Sequence, residues 1–408
     1  MGYYKEAFWL SEGQGQSKAE RKSGAYTYYV PSKLAQLELQ LDTDTVADIV
    51  RAEKALTDID NHKGNLHDLE GLSRFLLKAE AISSSFIEGL HLGTKRLLQA
   101  ELNSLEPHTF KPDETAAEIV GNINALRSAL EIAQSLSRIT LEDITAIHRL
   151  LLGNTPFAGY AGRIRTVQNW IGGNSYNPLN ATHVPPAPEL VGELMDDLLD
   201  FCNRKDVSPV QQAALAHAQF ETIHPFVDGN GRTGRALIQL LLRRRGLLKT
   251  FVPPISLILA INSKSYLAGL NSVRFTGEQP DTATRGAINE WLSFFAGSCV
   301  RACGEVMDLS DKVGEIENQW RDSLITVRRN SALDALLGKL AGIPVFTVNS
   351  ASKAVGRSFQ ATNPAIERLV EAGIARPLSS ARRNRAYEVP SALDTFRAFE
   401  RQLANPTT

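Results

Sequence analysis

Two stretches with helical apolar spacing, about 208–222 and 232–245, are separated by one short polar loop, and that loop is the strongest constraint in the chain. The intervening residues run His224-Pro225-Phe226-Val227-Asp228-Gly229-Asn230-Gly231-Arg232-Thr233-Gly234-Arg235. The sequence therefore predicts helix, loop and helix, with Gly229 and Gly231 at the mouth of the second helix. Glycine lets backbone approach a bulky group, and the first amides of a helix lack internal partners. Together with the helix dipole they form an anion site before any side chain is counted.

The side chains extend that reading. Asn230 can cap the helix or donate to an oxygen. Arg232 and Arg235 lie three apart, on neighbouring positions of one face, as bidentate phosphate contacts require. Asp228, the acid of the loop, suits a magnesium ion that takes one carboxylate plus phosphate oxygens. His224 has an ordinary pKa of about 6.5 and can accept a proton from a hydroxyl at neutral pH. The plainer alternative is a solvated turn, since Asp, Gly and Asn are common there. The order and completeness of the set favour a polyphosphate site.

The segment resembles the signature of Fic-domain proteins, His-Pro-Phe-x-[Asp/Glu]-Gly-Asn-Gly-Arg-x-x-Arg, and matches it at every position. That resemblance implies transfer of AMP from ATP to a Ser, Thr or Tyr hydroxyl of a target protein, and of the chain itself. It implies His224 as general base, Asp228 as the Mg2+ ligand, and Gly229, Asn230 and Gly231 as the anion hole. Arg232 and Arg235 would hold the outer phosphates. Such chemistry rests on positioning and charge neutralisation.

Far upstream, a helix expected over 66–88 carries Ser84-Ser85-Phe86-Ile87-Glu88-Gly89. This is similar to the family's inhibitory pattern [Ser/Thr]-x-x-x-Glu-[Gly/Asn]. The resemblance implies that Ser84 and Glu88 belong to a built-in brake in which Glu88 pairs with Arg235. It also admits the reverse reaction, removal of AMP, at the same site. Gly162 to Gly173 reads as a short strand, and Asn180-Ala181-Thr182-His183 follows across a Gly/Asn/Ser/Pro-rich loop, so a hairpin is predicted. In the family the corresponding hairpin is a flap over ATP that registers the extended target segment, with Asn180, Ala181, Thr182 and His183 nearest the nucleotide. Tyr266, on a helix expected at 262–274, takes the place of a family tyrosine lining the adenine pocket; plain core packing is the alternative.

The chain reads as mainly α, a Fic helical core with a small β-hairpin flap plus a C-terminal winged helix. Helices are expected at about 45–58, 66–88, 113–134, 140–152, 188–203, 208–222, 232–245, 262–274 and 282–300. The leading stretch to about Gly24 is Gly/Ser/Lys-rich and is expected to be flexible. The domain reading is 1–110 N-terminal helical region, 111–304 Fic core, 305–330 linker helix and 331–400 winged helix. The last is read from helices at 331–342, 347–355 and 362–374, then a hairpin from Arg376 to Val389 around Ser379–Asn384. Residues 344–390 hold seven Lys/Arg against three Asp/Glu, a local excess compatible with phosphate contacts. DNA contact there, a homodimer, and a DNA-binding regulator that senses nucleotide without turnover remain open readings.

Composition sets the outer bounds. A chain of 408 residues exceeds one core, and a net charge of −1 argues against attraction of the whole molecule to nucleic acid or membrane. No secretory signal or apolar run of spanning length is read, and three cysteines suit a reducing, cytoplasmic setting. Cys299 and Cys303 share a helix face, but no further ligand completes a metal set. His217 is expected to be structural.

Overall fold

The computed structural model describes residues 2–59, 69–107, 109–135, 138–277, 279–378 and 385–404. Its elements are β1 Tyr3–Trp9, β2 Gly24–Val30, α1 Thr43–Asp58, α2 Leu69–Ile87, α3 Thr94–Leu105, α4 Glu114–Ser135, α5 Leu141–Leu152, α6 Pro188–Cys202, α7 Pro209–Ile223 and α8 Asn230–Arg244. There follow α9 Ile255–Ile261, α10 Ser263–Ser272, α11 Thr282–Asp322, α12 Ala332–Leu337, β3 Val345–Thr347, α13 Val348–Val355, α14 Phe359–Glu371, β4 Arg376–Pro377, β5 Ala386–Glu388 and α15 Pro390–Ala404. The fold is mainly α, as expected, and the chain divides into two compact units.

The first unit comprises residues 1–53, 128–245 and 264–297. Its helices start where the sequence supplies caps. Thr140 and Asp143 form a reciprocal capping box before α5, and prolines stand in the first turn of α6 and α7. α7 and α8 pack closely because Gly234 has no side chain. A Cβ there would lie 2.6 Å from the Glu221 Oε1 and 3.0 Å from the His217 Nδ1.

Three expectations for this unit are corrected. The N-terminal stretch is ordered, because β1 pairs antiparallel with β2 from Tyr3↔Val30 to Trp9↔Gly24. The aromatics of both strands (Tyr3, Tyr4, Phe8 and Trp9; Tyr26, Tyr28 and Tyr29), not the Gly/Ser turn between them, decide the outcome. The strand expected at 162–173 does not form; a single bridge joins Ile171 to His183. Left-handed backbone at Gly162, Gly172 and Gly173 breaks the extended run. Finally, 282–300 and the helix expected from about 305 to 328 are one continuous helix, α11, since no breaker separates them.

The second unit comprises residues 54–127, 246–263 and 298–408. At its centre α2 buries Leu72, Phe75, Leu76 and Ala79, and Phe75 stacks on Phe396 of α15 at 3.8 Å. The buried Glu80 carboxylate of α2 accepts from both the backbone N–H and the hydroxyl of Ser256, 2.8 and 2.7 Å, at the start of α9. The expected start of α2 at 66 lies outside the described residues. α3, α9 and α15 were not anticipated. Toward the C-terminus the order is α12, β3, α13, α14, β4, β5, with a three-stranded antiparallel sheet β3-β5-β4. Leu333, Leu336, Leu337, Ile366 and Leu369 form its core with Phe346 and Val389. The first of these helices stops at Leu337, short of the 342 expected, and the hairpin tip expected at 379–384 lies outside the described residues.

Candidate active site

His224 is the residue on which α7 ends. Its backbone lies in the left-handed region, φ 51° and ψ 61°, and its N–H closes the last turn on the Phe220 carbonyl. A branched-free but bulky residue rarely adopts that conformation, which marks a position held by its surroundings. The holders are visible. The His224 carbonyl accepts from the Arg165 Nε at 2.8 Å and from the Asn169 Nδ2 at 3.2 Å. Arg165 is buried and also donates to the carbonyls of Val167, Pro186 and Ile223. Burial lowers its pKa to about 10. The His224 ring places Nδ1 3.3 Å from the Glu221 carbonyl and 3.9 Å from the Glu221 carboxylate.

The loop after it is fixed by its own asparagine. Asn230 accepts from the Phe226 N–H at 2.8 Å and donates to the Phe226 carbonyl at 2.9 Å. Its side chain therefore shapes the loop, and the cap of α8 falls to Gly229, φ 77°. That corrects the expectation of Asn230 as a helix cap; its backbone N–H and those of Gly231 and Arg232 open the helix. His148 of α5 supports the loop from beneath. Its ring stacks on Phe226, centroids 3.7 Å apart. Gly162 N–H donates to its Nδ1 at 2.9 Å, so Nε2 carries the proton and donates to the Asp228 carbonyl, 2.9 Å. Burial lowers the His148 pKa to about 4.

Asp228 and Arg232 meet within one turn, Oδ2 to Nη2 3.1 Å, with the aspartate partly exposed and the guanidinium buried. Arg235 is also buried, and its Nη1 lies 3.4 Å from the Tyr266 hydroxyl. The structure thus brings His224, Asp228, Gly229, Asn230, Gly231, Arg232 and Arg235 together around one helix mouth, but the arginines are seated inward and not splayed on a surface. Tyr266 is a core residue. It is buried, bonded through its hydroxyl to the His217 Nε2 at 2.7 Å, and packed beside Trp291. These are the contacts that the packing alternative describes. His217 is structural as expected, fully buried with its pKa lowered to about 3 by desolvation.

In the 162–183 stretch the four expected residues part company. Asn180 and Thr182 are exposed and Ala181 half-buried. His183 turns inward, its Nε2 3.1 Å from the Thr222 carbonyl, and burial lowers its pKa to about 3. Its imidazole, spent on a buried carbonyl, anchors the segment.

In the other unit, Ser84 is buried in α2, Ser85 bonds Asn122 at 3.1 Å, and Glu88 follows the last turn, exposed, with Gly89 left-handed at φ 79°. Sequence reasoning missed Arg165, Asn169 and His148. A buried-face histidine in α5 was the one readable signal; the other two carry no local pattern. Among the described residues no cluster of three or more His, Cys, Asp or Glu could hold a metal ion, and no helix is long and apolar enough to cross a membrane.

Comparison with known proteins follows this geometry. Residues 138–242 match the model of the Fic/DOC family, and residues 46–131 match that of the Fic/DOC family N-terminal region. Protein adenylyltransferase fic-1 of Caenorhabditis elegans is 35% identical over 141 residues, 33% of this chain and 26% of that one. Its counterpart in Caenorhabditis briggsae is 29% identical over 242 residues, 55% of this chain and 44% of that one. The chain thus spans less than half the length of these curated relatives. A crystal structure of a Fic family protein from Desulfovibrio desulfuricans G20 shares the fold, with TM-score 0.51 and 20% identity over 87% of this chain and 98% of that one. With its signature loop assembled at the mouth of α8, this chain carries a Fic/DOC family domain at 138–242 and the N-terminal region of that family at 46–131.

Proposed function

We propose that the chain is a protein adenylyltransferase that moves AMP from ATP to a Ser, Thr or Tyr hydroxyl of a target protein. The observation that carries this is His224, held in left-handed backbone at the end of α7 beside the loop that opens α8. Nδ1 faces the Glu221 carbonyl, which gives Nε2 the acceptor's role. The target hydroxyl oxygen attacks the α-phosphorus, its proton passes to Nε2, and the bond to pyrophosphate breaks. The N–H groups at the start of α8, with Arg232 and Arg235, suit the charge of the leaving pyrophosphate. The partly exposed Asp228 carboxylate fits an ion that needs only one protein carboxylate, and Mg2+ there would neutralise phosphate charge. Names of the curated relatives support the reaction class.

His224→Ala removes the base. Incubated with ATP and a candidate target, the variant is expected to lose AMP transfer by about 100-fold or more while still binding ATP. Mass spectrometry for an added AMP checks it; equal labelling by wild type and variant would end the proposal. The same assay run from AMP-modified protein distinguishes removal from transfer.

The brake and the C-terminal region belong to this reading. Ser84 and Glu88 stand in the inhibitory pattern at the end of α2, and Glu88→Gly is expected to raise AMP transfer several-fold. The sheet and helices of 332–388 have the element order of a winged helix, with α14 in the recognition position. Its basic excess supports DNA contact, to be checked by a salt-dependent mobility shift. Three free, buried cysteines support a reducing, cytoplasmic setting.

A further inference from the structure

The N-terminal hairpin has a feature that the proposed chemistry leaves unused. In β2 the Tyr29 N–H turns away from β1 and donates to the Val184 carbonyl at 2.9 Å. Tyr29 is registered with Tyr4, so the backbone groups of Tyr4 also turn away from the ladder, and strand alternation sends those of Glu6 and Phe8 the same way. Gly2, next in that series, is paired with Gly277 through bonds of 3.0 and 2.9 Å. Beyond it, among the described residues, no hydrogen-bond partner is present for the N–H and C=O groups of Tyr4, Glu6 and Phe8. Those same residues present their side chains on one exposed face. Tyr4 is 61% and Phe8 63% exposed, with Glu6 between them.

An edge of this kind is normally blunted by proline, a bulge or a covering segment. Here a row of open donors and acceptors adjoins two large exposed aromatics and one central carboxylate. We propose that the outer edge of β1 docks an extended segment of another protein, added as a third, antiparallel strand, with a basic residue opposite Glu6 and apolar residues opposite Tyr4 and Phe8. Main-chain bonds supply the attachment, and the three side chains supply the choice. A second copy of this chain is the poorer occupant. The register that uses the whole edge from Tyr4 to Phe8 sets one Glu6 against the other, and like charges directly opposite destabilise a pair. The edge adjoins the signature loop through Trp9, whose ring packs against Trp170, the neighbour of Asn169. Its occupancy is therefore tested without nucleotide, and its failure leaves the proposed reaction untouched.

The test uses the full chain and a fluorescein-labelled peptide, Ser-Ile-Thr-Arg-Thr-Ile-Ser, against the same peptide with Glu at the centre, read by anisotropy. The Arg peptide is expected to bind about fivefold more tightly, and Glu6→Lys is expected to reverse that order. Glu6→Pro deletes the middle outward N–H without touching the β1–β2 ladder, so it should abolish binding of both peptides while the melting temperature holds. Several results overturn the proposal: no binding of either peptide up to about 1 mM, an unchanged preference in Glu6→Lys, or full binding by Glu6→Pro. A dimer in sedimentation that Glu6→Pro dissociates would overturn it too, by assigning the edge to a second copy.

Discussion

The loop from His224 to Arg235 and the stretch from Gly162 to His183 both read from sequence as ligand-facing, yet they are built in opposite ways. In the first, buried polar side chains from within and around the loop fix its backbone. Asn230 clamps Phe226, Arg165 and Asn169 hold the His224 carbonyl, and His148 holds that of Asp228. In the second, the bonds stay mostly local: Asn174 and Asn177 turn the segment 174–179, Asn177 donates to the Ala19 and Glu20 carbonyls, Ile171 bridges His183, and Asn180 and Thr182 face solvent. Chemistry needs a preorganised constellation, whereas a segment that meets a variable partner needs exposed backbone. The contrast makes the two regions respond differently to substitution.

Arg165→Ala should show the largest effect. It removes the donor to four carbonyls, those of His224, Val167, Pro186 and Ile223, of which only that of His224 keeps a second donor, Asn169, and is expected to cost about 3–5 kcal/mol in urea unfolding. A cost below about 1 kcal/mol would mean that the loop holds itself. Next comes acidity. The folded pKa of His148, about 4, lies below the roughly 6.5 of an unfolded histidine. Above pH ~6.5 the ring is neutral in both states and its contribution is intact. As pH falls from there toward 4 the unfolded chain takes the proton first, so stability declines by about 1.4 kcal/mol per pH unit from this residue. His217 and His183, at about 3, act in the same direction. His148→Gln should flatten the pH dependence of unfolding by that one residue's share; an unchanged slope would place the proton elsewhere.

Gly234→Ala drives a methyl into the Glu221 carboxylate and is expected to cost about 1–3 kcal/mol, with AMP transfer falling as α7 and α8 separate. The smallest effect belongs to the second region. Thr182→Val removes a 2.9 Å bond to the Ile171 carbonyl and should cost no more than about 1 kcal/mol by thermal unfolding. A larger loss would show that the 162–183 stretch is as tightly specified as the loop.

What the sequence disclosed follows the same division. The helix–loop–helix and the membership of its polar residues were legible, because caps, glycines and spacing are local. The inward seating of Arg232 and Arg235, the clamp formed by Asn230 and the burial of Tyr266 were not, because each depends on a partner supplied by the fold. Arg165 sits 59 positions from the carbonyl it holds, and nothing near it in the chain announces the task. The hairpin at 3–30 was missed for a different reason: its Gly/Ser/Lys-rich turn dominates the composition, while the strand signal lies in the aromatic-rich segments on either side.

The two bonds of the His148 ring have a handedness. With its proton on Nδ1 in place of Nε2, the imidazole would set hydrogen against hydrogen at Gly162 and lone pair against lone pair at Asp228. The ring thus works like a keyed plug, whose two contacts fit one placement of its proton and reject the other. In nitrogen NMR the residue should accordingly give one sharp, unchanging tautomer, a fingerprint of a correctly closed site that needs no substrate to read.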